Sequence, residues 1–177
     1  MSIMNNPNDI KNDNRGISLI EILIVISIMV ILSGVFMLTT TVATDKQVNS
    51  CANKIVSSIE QTRSITLGKQ SGYIVISQGV GETVKCQMYI NGAYPYGTAY
   101  SDQVTIGHQG LTVTVNKHSG SAPLAGTSAV VSFSRSNGSV TDSDNVESIV
   151  VSNGRRSITI TIDKFTGKVS KGPVVIL

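Results

Sequence analysis

The sequence predicts an α+β fold, one long N-terminal α-helix followed by a domain of antiparallel β-strands. Three observations predict it. Residues 22–38 contain no charged side chain. Val48, Cys51, Ala52, Ile55, Ile59, Thr62 and Thr66 follow one another at steps of three and four, which traces one face of an α-helix. From Gly72 onward, apolar residues alternate with polar ones, the period of a half-buried strand.

The bulk composition agrees. The chain has 177 residues, of which 41% are hydrophobic and only 14% charged, well below the roughly 25% charge of soluble domains. That length suits one domain plus a long anchor. Ile and Val dominate the apolar content, with much Ser, Thr and Gly, a mixture that suits a sheet. The formal net charge of +3 is too small to argue for nucleic-acid binding by itself.

Residues 1–16 are polar, with Asn5, Asn6, Asp9, Lys11, Asn12, Asp13, Asn14 and Arg15 and no apolar period. They read as a leader. In a secretory signal the small-residue cleavage site follows the apolar stretch. Here Gly16 precedes it. A cut after Gly16 would fall on the cytoplasmic side and leave the apolar helix on the protein.

Residues 17–38 form that apolar segment, about 33 Å of helix and long enough for a bilayer. Lys11 and Arg15 flank its N-terminal side, and the next charges beyond it are Asp45 and Lys46. The positive-inside rule places residues 1–16 in the cytoplasm and the rest outside, a single-pass topology in the cytoplasmic membrane. The helix is expected to continue through the amphipathic pattern, giving one helix over 17–68, about 75 Å long. Its weakest stretches are Ser33-Gly34 and Thr39-Thr40-Thr41, where Gly and β-branched residues lower helix propensity. Gly68 reads as the residue that ends it.

Residues 69–177 are the β domain. Residues 73–76 and 84–90 read as two strands around a Gly79/Gly81 turn. Residues 91–101 form a loop with Gly92, Pro95 and Gly97, and Tyr94-Pro95-Tyr96 offers a contact surface. Residues 104–106 and 111–115 are expected to pair, and Ser119 to Gly126 reads as a loop around Pro123. Residues 129–133 form a strand before the Asn137-Gly138 turn. Residues 149–151 and 157–163 flank Asn153-Gly154, the clearest hairpin signal in the chain. Gly167 sits in another tight turn before Val169.

Candidate functional residues are few. Glu21 lies at the mouth of the apolar segment, where a carboxylate costs up to roughly 2.5–3.5 kcal/mol toward a bilayer centre. A chain that keeps it there uses it for something besides spanning. Cys51 and Cys86 are the two cysteines. They allow one intrachain bridge or two buried free thiols, and the sequence leaves both open. His108 and His118 read as surface residues. No nucleophile, phosphate-loop or metal motif is present, so neither enzyme, metal nor cofactor is expected. Arg155, Arg156, Lys164, Lys168 and Lys171 make the C-terminal hairpins basic. They read as a solvated sheet edge or as a phosphate-contacting patch, diluted by Asp142, Asp144, Glu147 and Asp163.

The stretch Gly16-Ile17-Ser18-Leu19-Ile20-Glu21, followed by the apolar run, resembles the prepilin motif of the type IV pilin and pseudopilin superfamily. Ile17 stands where that family usually has Phe, and the apolar helix lacks the proline of many major pilins. The globular half resembles the GspH/FimT group of minor pilins through Arg63 near the helix end, Val131-Ser132-Phe133-Ser134-Arg135-Ser136-Asn137-Gly138, and Ile160-Thr161-Ile162-Asp163-Lys164-Phe165-Thr166-Gly167-Lys168-Val169.

The resemblance implies the pilin fold, with the long helix packed on an antiparallel sheet. A prepilin peptidase would cut between Gly16 and Ile17, and the new amine of Ile17 would be methylated. Inner-membrane assembly machinery would move the subunit from the membrane into a type IV pilus or a type II secretion-like pseudopilus, ending outside the cell in the first case. The N-terminal helix would contact other pilin subunits, and Glu21 would neutralise the terminal amine of a neighbour. Some FimT-like pilins bind DNA during uptake, so the alternative implied is a DNA-binding minor pilin for natural transformation, with Arg155, Arg156, Lys164, Lys168 and Lys171 as contacts.

Overall fold

The computed structural model describes residues 18–67, 70–141 and 146–177, with residues 35–45 as backbone alone. The leader, Gly16, Ile17, the expected helix stop at Gly68, and Asp142 and Asp144 lie outside the described residues. The chain divides into two compact units, Met1–Thr40 and Thr41–Leu177.

Helix α1 (Leu19–Thr66) runs from the first unit into the second. Ser33-Gly34 and the three threonines do not interrupt it. Within the first unit every described side chain is exposed, from Leu19 at 82% to Leu32 at 62%. Among the described residues no helix is long and apolar enough to cross a membrane. The described apolar side chains stop at Gly34. From Leu19 that is about 24 Å of helix, short of a bilayer core of roughly 30 Å. The expected span, 17–38, extends past those residues at both ends.

The second unit holds the rest of α1 and ten strands. β1 (Gly72–Gln78) and β2 (Val84–Ile90) form the expected antiparallel hairpin. β3 (Thr98–Ala99) and β4 (Val104–Thr105) add short pieces to β2. β5 (Thr112–Lys117) and β6 (Gly120–Pro123) pair with each other. β7 (Thr127–Phe133) returns to lie beside β1. β8 (Val146–Ser152), β9 (Arg156–Ile162) and β10 (Val169–Ile176) then form a meander, and β8 also pairs with β5.

These strands make two five-stranded antiparallel sheets rather than the single sheet expected. The first is β3-β2-β1-β7 with β4 also on β2, and the second is β10-β9-β8-β5-β6. The expected pairing of 104–106 with 111–115 does not form. β4 stays on the first sheet, and the chain crosses to the second between the buried side chains of Ile106 and Leu111. The expected loop around Pro123 is instead strand β6, at the edge of its sheet, where a residue without an N–H is tolerated. Period-two patterning tells which face of a strand is buried, not which strand lies next to it.

The core is one continuous cluster. Val48, Cys51, Ala52, Ile55 and Ile59 of α1 meet Ile74, Ile76, Val131, Ile149, Val151, Ile158 and Ile160 from both sheets. Each fully buried aliphatic side chain contributes about 1.5–3 kcal/mol. Thr62 and Thr66 complete the buried helix face. Their hydroxyls donate to the carbonyls of Ser58 and Thr62, at 2.7 and 2.8 Å, so no polar atom is stranded there. Gln78 joins the two sheets. Its buried amide donates to the Leu111 carbonyl at 2.6 Å and accepts from the Val113 N–H at 3.3 Å.

Candidate functional site

The first turn of α1 carries Glu21. Ser18 precedes the helix, and its carbonyl accepts from the N–H groups of Glu21 and Ile22 at 2.9 and 3.2 Å. That makes Ser18 the N-cap and Glu21 the third helical residue, the spacing of a capping box. A carboxylate here also faces the positive end of the helix dipole, worth about 0.3–1 kcal/mol. Ser-x-x-Glu was readable in the sequence as a helix-start signal. Among the described residues the Glu21 carboxylate has no hydrogen-bond or ion-pair partner. The capping-box bond from this carboxylate is not made, and its charge is left available to a group from elsewhere.

The apolar side chains beyond Glu21 surround the helix on every side. The two hydroxyls among them turn inward. Ser27 donates to the Leu23 carbonyl at 2.7 Å, and Ser33 to the Met29 carbonyl at 2.6 Å. Each satisfies its donor within the helix, so this surface presents hydrocarbon with no unpaired hydroxyl proton. It fits a dry environment, lipid or other helices.

A second locus lies at the other end of α1. The Arg63 Nε donates to the Thr166 carbonyl at 2.8 Å. A Cβ added at Gly138 or Gly167 would come within 3.1 and 3.2 Å of the Arg63 side chain, and one at Gly167 would run into the Gly138 carbonyl. Both glycines have positive φ, 68° and 64°, which other residues adopt only with strain. The three sequence pieces that resemble the GspH/FimT group thus meet at one point. Asp163 builds the turn beneath it. One carboxylate oxygen accepts from the N–H groups of Phe165 and Thr166 and from the Thr166 hydroxyl, at 3.0, 2.8 and 2.9 Å. These donors, the Thr166 N–H foremost, hold its carboxyl below the usual aspartate range.

Cys51 and Cys86 are both buried and free. Burial pushes the Cys51 thiol up to about 11, with Lys54 opposing and Cys86 adding to the effect. Burial also raises Cys86, whose sulfur lies 3.5 Å from the Ser58 hydroxyl. Thiols held protonated and buried make poor nucleophiles.

The basic residues do not converge. Arg155 and Arg156 sit at the tip of the β8–β9 hairpin, whereas Lys164 and Lys168 flank the β9–β10 turn. Strand β9 separates the two groups by about 20 Å. Lys171 lies on β10 opposite Ile160, and its ammonium donates to the side chains of Asn49 and Asn53 at 2.9 and 2.7 Å. His108 is exposed. His118, also exposed, pairs with Glu147 at 3.1 Å. Among the described residues no three His, Cys, Asp or Glu side chains could hold a metal ion together. The aromatic loop is ordered around Tyr73, which stacks on Tyr89 with centroids 4.9 Å apart and meets the edge of Tyr94 at 5.7 Å. Tyr96 stays exposed.

Residues 11–37 match the family described as the prokaryotic N-terminal methylation motif. No curated protein and no solved structure matches the chain. The matched segment contains Gly16, Ile17 and Glu21. The motif supports a prepilin of the type IV pilin and pseudopilin superfamily, and it implies processing by a prepilin peptidase and assembly with other pilins.

Proposed function

We propose that the chain is a minor pilin or pseudopilin of the GspH/FimT kind, anchored by one pass through the cytoplasmic membrane and then assembled into a type IV pilus or a secretion pseudopilus. The observation that carries this reading is the stretch Leu19–Leu32 of α1, apolar on all sides, exposed, and led by Glu21, whose carboxylate has no partner among the described residues. Such a helix buries itself in lipid before assembly and against other helices after it. In the low-dielectric filament interior, Glu21 meets the methylated amine of Ile17 on a neighbouring subunit. There an ion pair is strong and an unpaired charge is heavily penalised. The meeting of Arg63, Gly138 and Gly167 supports the finer assignment, because it gives the three loose motifs one shared packing reason.

The test is Glu21→Ala in the cell that assembles the filament. Removal of residues 1–16 and membrane retention should persist, while incorporation into filaments should fall at least tenfold, the equivalent of about 1.4 kcal/mol. Unchanged incorporation would refute the pairing. Competence is the second use such a subunit could serve, and its support narrows to Arg155 and Arg156, which share the tip of the β8–β9 hairpin. Binding of duplex DNA that weakens steeply with salt and is lost in Arg155→Glu would favour it.

A further inference from the structure

Ile74 and Ile76 of β1 face the core, so Tyr73 faces the other side of the first sheet. There its neighbours across the two adjoining strands are Tyr89 and Ser132, whose side chains share that face. Tyr73 is nonetheless only 1% exposed, because the loop of residues 91–97 covers it. Tyr94 meets its ring nearly at right angles, and the Gly97 N–H donates to its hydroxyl at 3.1 Å. The loop is itself tightly closed. The Tyr96 N–H donates to the Ala93 carbonyl at 2.8 Å, and a Cβ on Gly92 would come within 2.9 Å of the Gly97 backbone.

Between this loop and the edge strand β7 lies a cleft of about 300 Å³, at the lower end of the sizes of ligand pockets. Tyr73, Tyr94 and Phe133 supply its aromatic lining, and Ser71, Ser132 and Thr141 its hydroxyls. Tyr73 and Phe133 are buried beneath, whereas Tyr94 is 54% exposed and open to a ligand. Among the described residues, the hydroxyls of Ser71, Tyr94, Ser132 and Thr141 have no hydrogen-bond partner, and no charged side chain lines the cleft. This combination discriminates among ligands. A phosphate or carboxylate would find no cation here, and an ammonium no carboxylate. A wholly apolar ligand would strip water from the hydroxyls and give nothing back. A neutral sugar answers both demands. Its hydroxyls donate and accept as those of Ser and Thr do. The C–H face of its ring carries partial positive charge, which suits the negative face of an aromatic ring.

We infer that this cleft binds a neutral saccharide, with one sugar ring lying on Tyr94 and its hydroxyls bonded to Ser71, Ser132 and Thr141. The loop is already closed on Tyr73, so little ordering opposes binding. All of these residues belong to the second unit. The inference therefore stands apart from the filament reading and needs neither the anchor nor Glu21.

The test is calorimetric titration of the full chain, held in dodecylphosphocholine micelles that carry no sugar, with maltotriose, cellotriose and chitotriose. At least one should bind saturably, with a Kd of about 1 mM or tighter. Tyr94→Ala should weaken that binding about tenfold or more, and Ser132→Ala about fivefold, the loss of one hydrogen bond. Tyr96→Ala removes an exposed tyrosine of the same loop that lies outside the cleft. It should leave the affinity unchanged, as should Glu21→Ala. Absence of binding by all three sugars overturns the inference. So does full affinity in both Tyr94→Ala and Ser132→Ala. Where Tyr94→Ala fails to fold, Ser132→Ala and Thr141→Val decide, and full affinity in both overturns it. Binding of a polyproline peptide in place of the sugars assigns the tyrosines to an extended peptide and likewise overturns it.

Discussion

The two halves of α1 share one backbone and obey opposite rules. From Leu19 to Leu32 every side chain is apolar or hydrogen-bonded back to the helix, apart from Glu21, and every one is exposed. From Val48 to Thr66 a single face is apolar and that face is fully buried, with Ile55 and Ile59 at 0% exposure. The second half is stabilised by its own domain. The first finds nothing in the described chain to cover it. One stretch of the helix is covered by its own domain, and the described side chains of the other are bare.

Substitutions can break this contrast. The largest effect expected is Ile55→Ala, which opens a cavity between helix and sheets and should destabilise the second unit by about 2–5 kcal/mol. Denaturant unfolding of the full chain in detergent would show it as a lower midpoint at unchanged slope. Gly167→Ala should follow, at about 2–4 kcal/mol, because it combines a positive φ with a clash against the Gly138 carbonyl. An intact midpoint in that variant would mean that the Arg63 locus does not hold the end of the helix.

A smaller effect comes from pH. The Cys51 thiol is raised to about 11 from 9.0. A raised acid contributes its stability below the unfolded value and loses it as pH climbs through the folded one. Stability should therefore drop by about 2–3 kcal/mol between pH 9 and 11. Cys51→Ala should flatten that part of the profile, which separates this thiol from the lysines and tyrosines that titrate in the same range. The smallest effect belongs to the other half of the helix. Ile28→Ala should change unfolding of the second unit by less than about 0.5 kcal/mol, although it removes the same kind of side chain as Ile55→Ala. A larger effect would show that the first half is covered after all.

Much of the fold was legible residue by residue. The uncharged run after Glu21, the three-and-four steps from Val48 and the hairpins at Gly79–Gly81 and Asn153-Gly154 each lie within a short stretch, where side-chain period and turn chemistry act directly. The motif from Gly16 to Glu21 was legible for the same reason. The partnering of 104–106 was not. Its local pattern does not name its neighbour, and in the fold β4 pairs with β2 while Ile106 beside it is buried. Strand β6 hid behind Pro123, which breaks a central strand but not an edge. The basic residues looked like one patch because they are near in sequence, and strand β9 carries them apart.

By itself, then, the sequence determined what acts over a few residues: the N-terminal methylation motif, a helix with two different surfaces, and the faces of most strands. The tertiary structure decided what depends on residues far apart. It divided the strands between two sheets, left both thiols free, brought Arg63 to Gly138 and Gly167, and set the C-terminal strand end beside Arg155. The physical reason is that period and turn type are set by neighbouring backbone geometry, whereas the choice among partners is a comparison of buried areas that exists only once the whole chain has closed on its core.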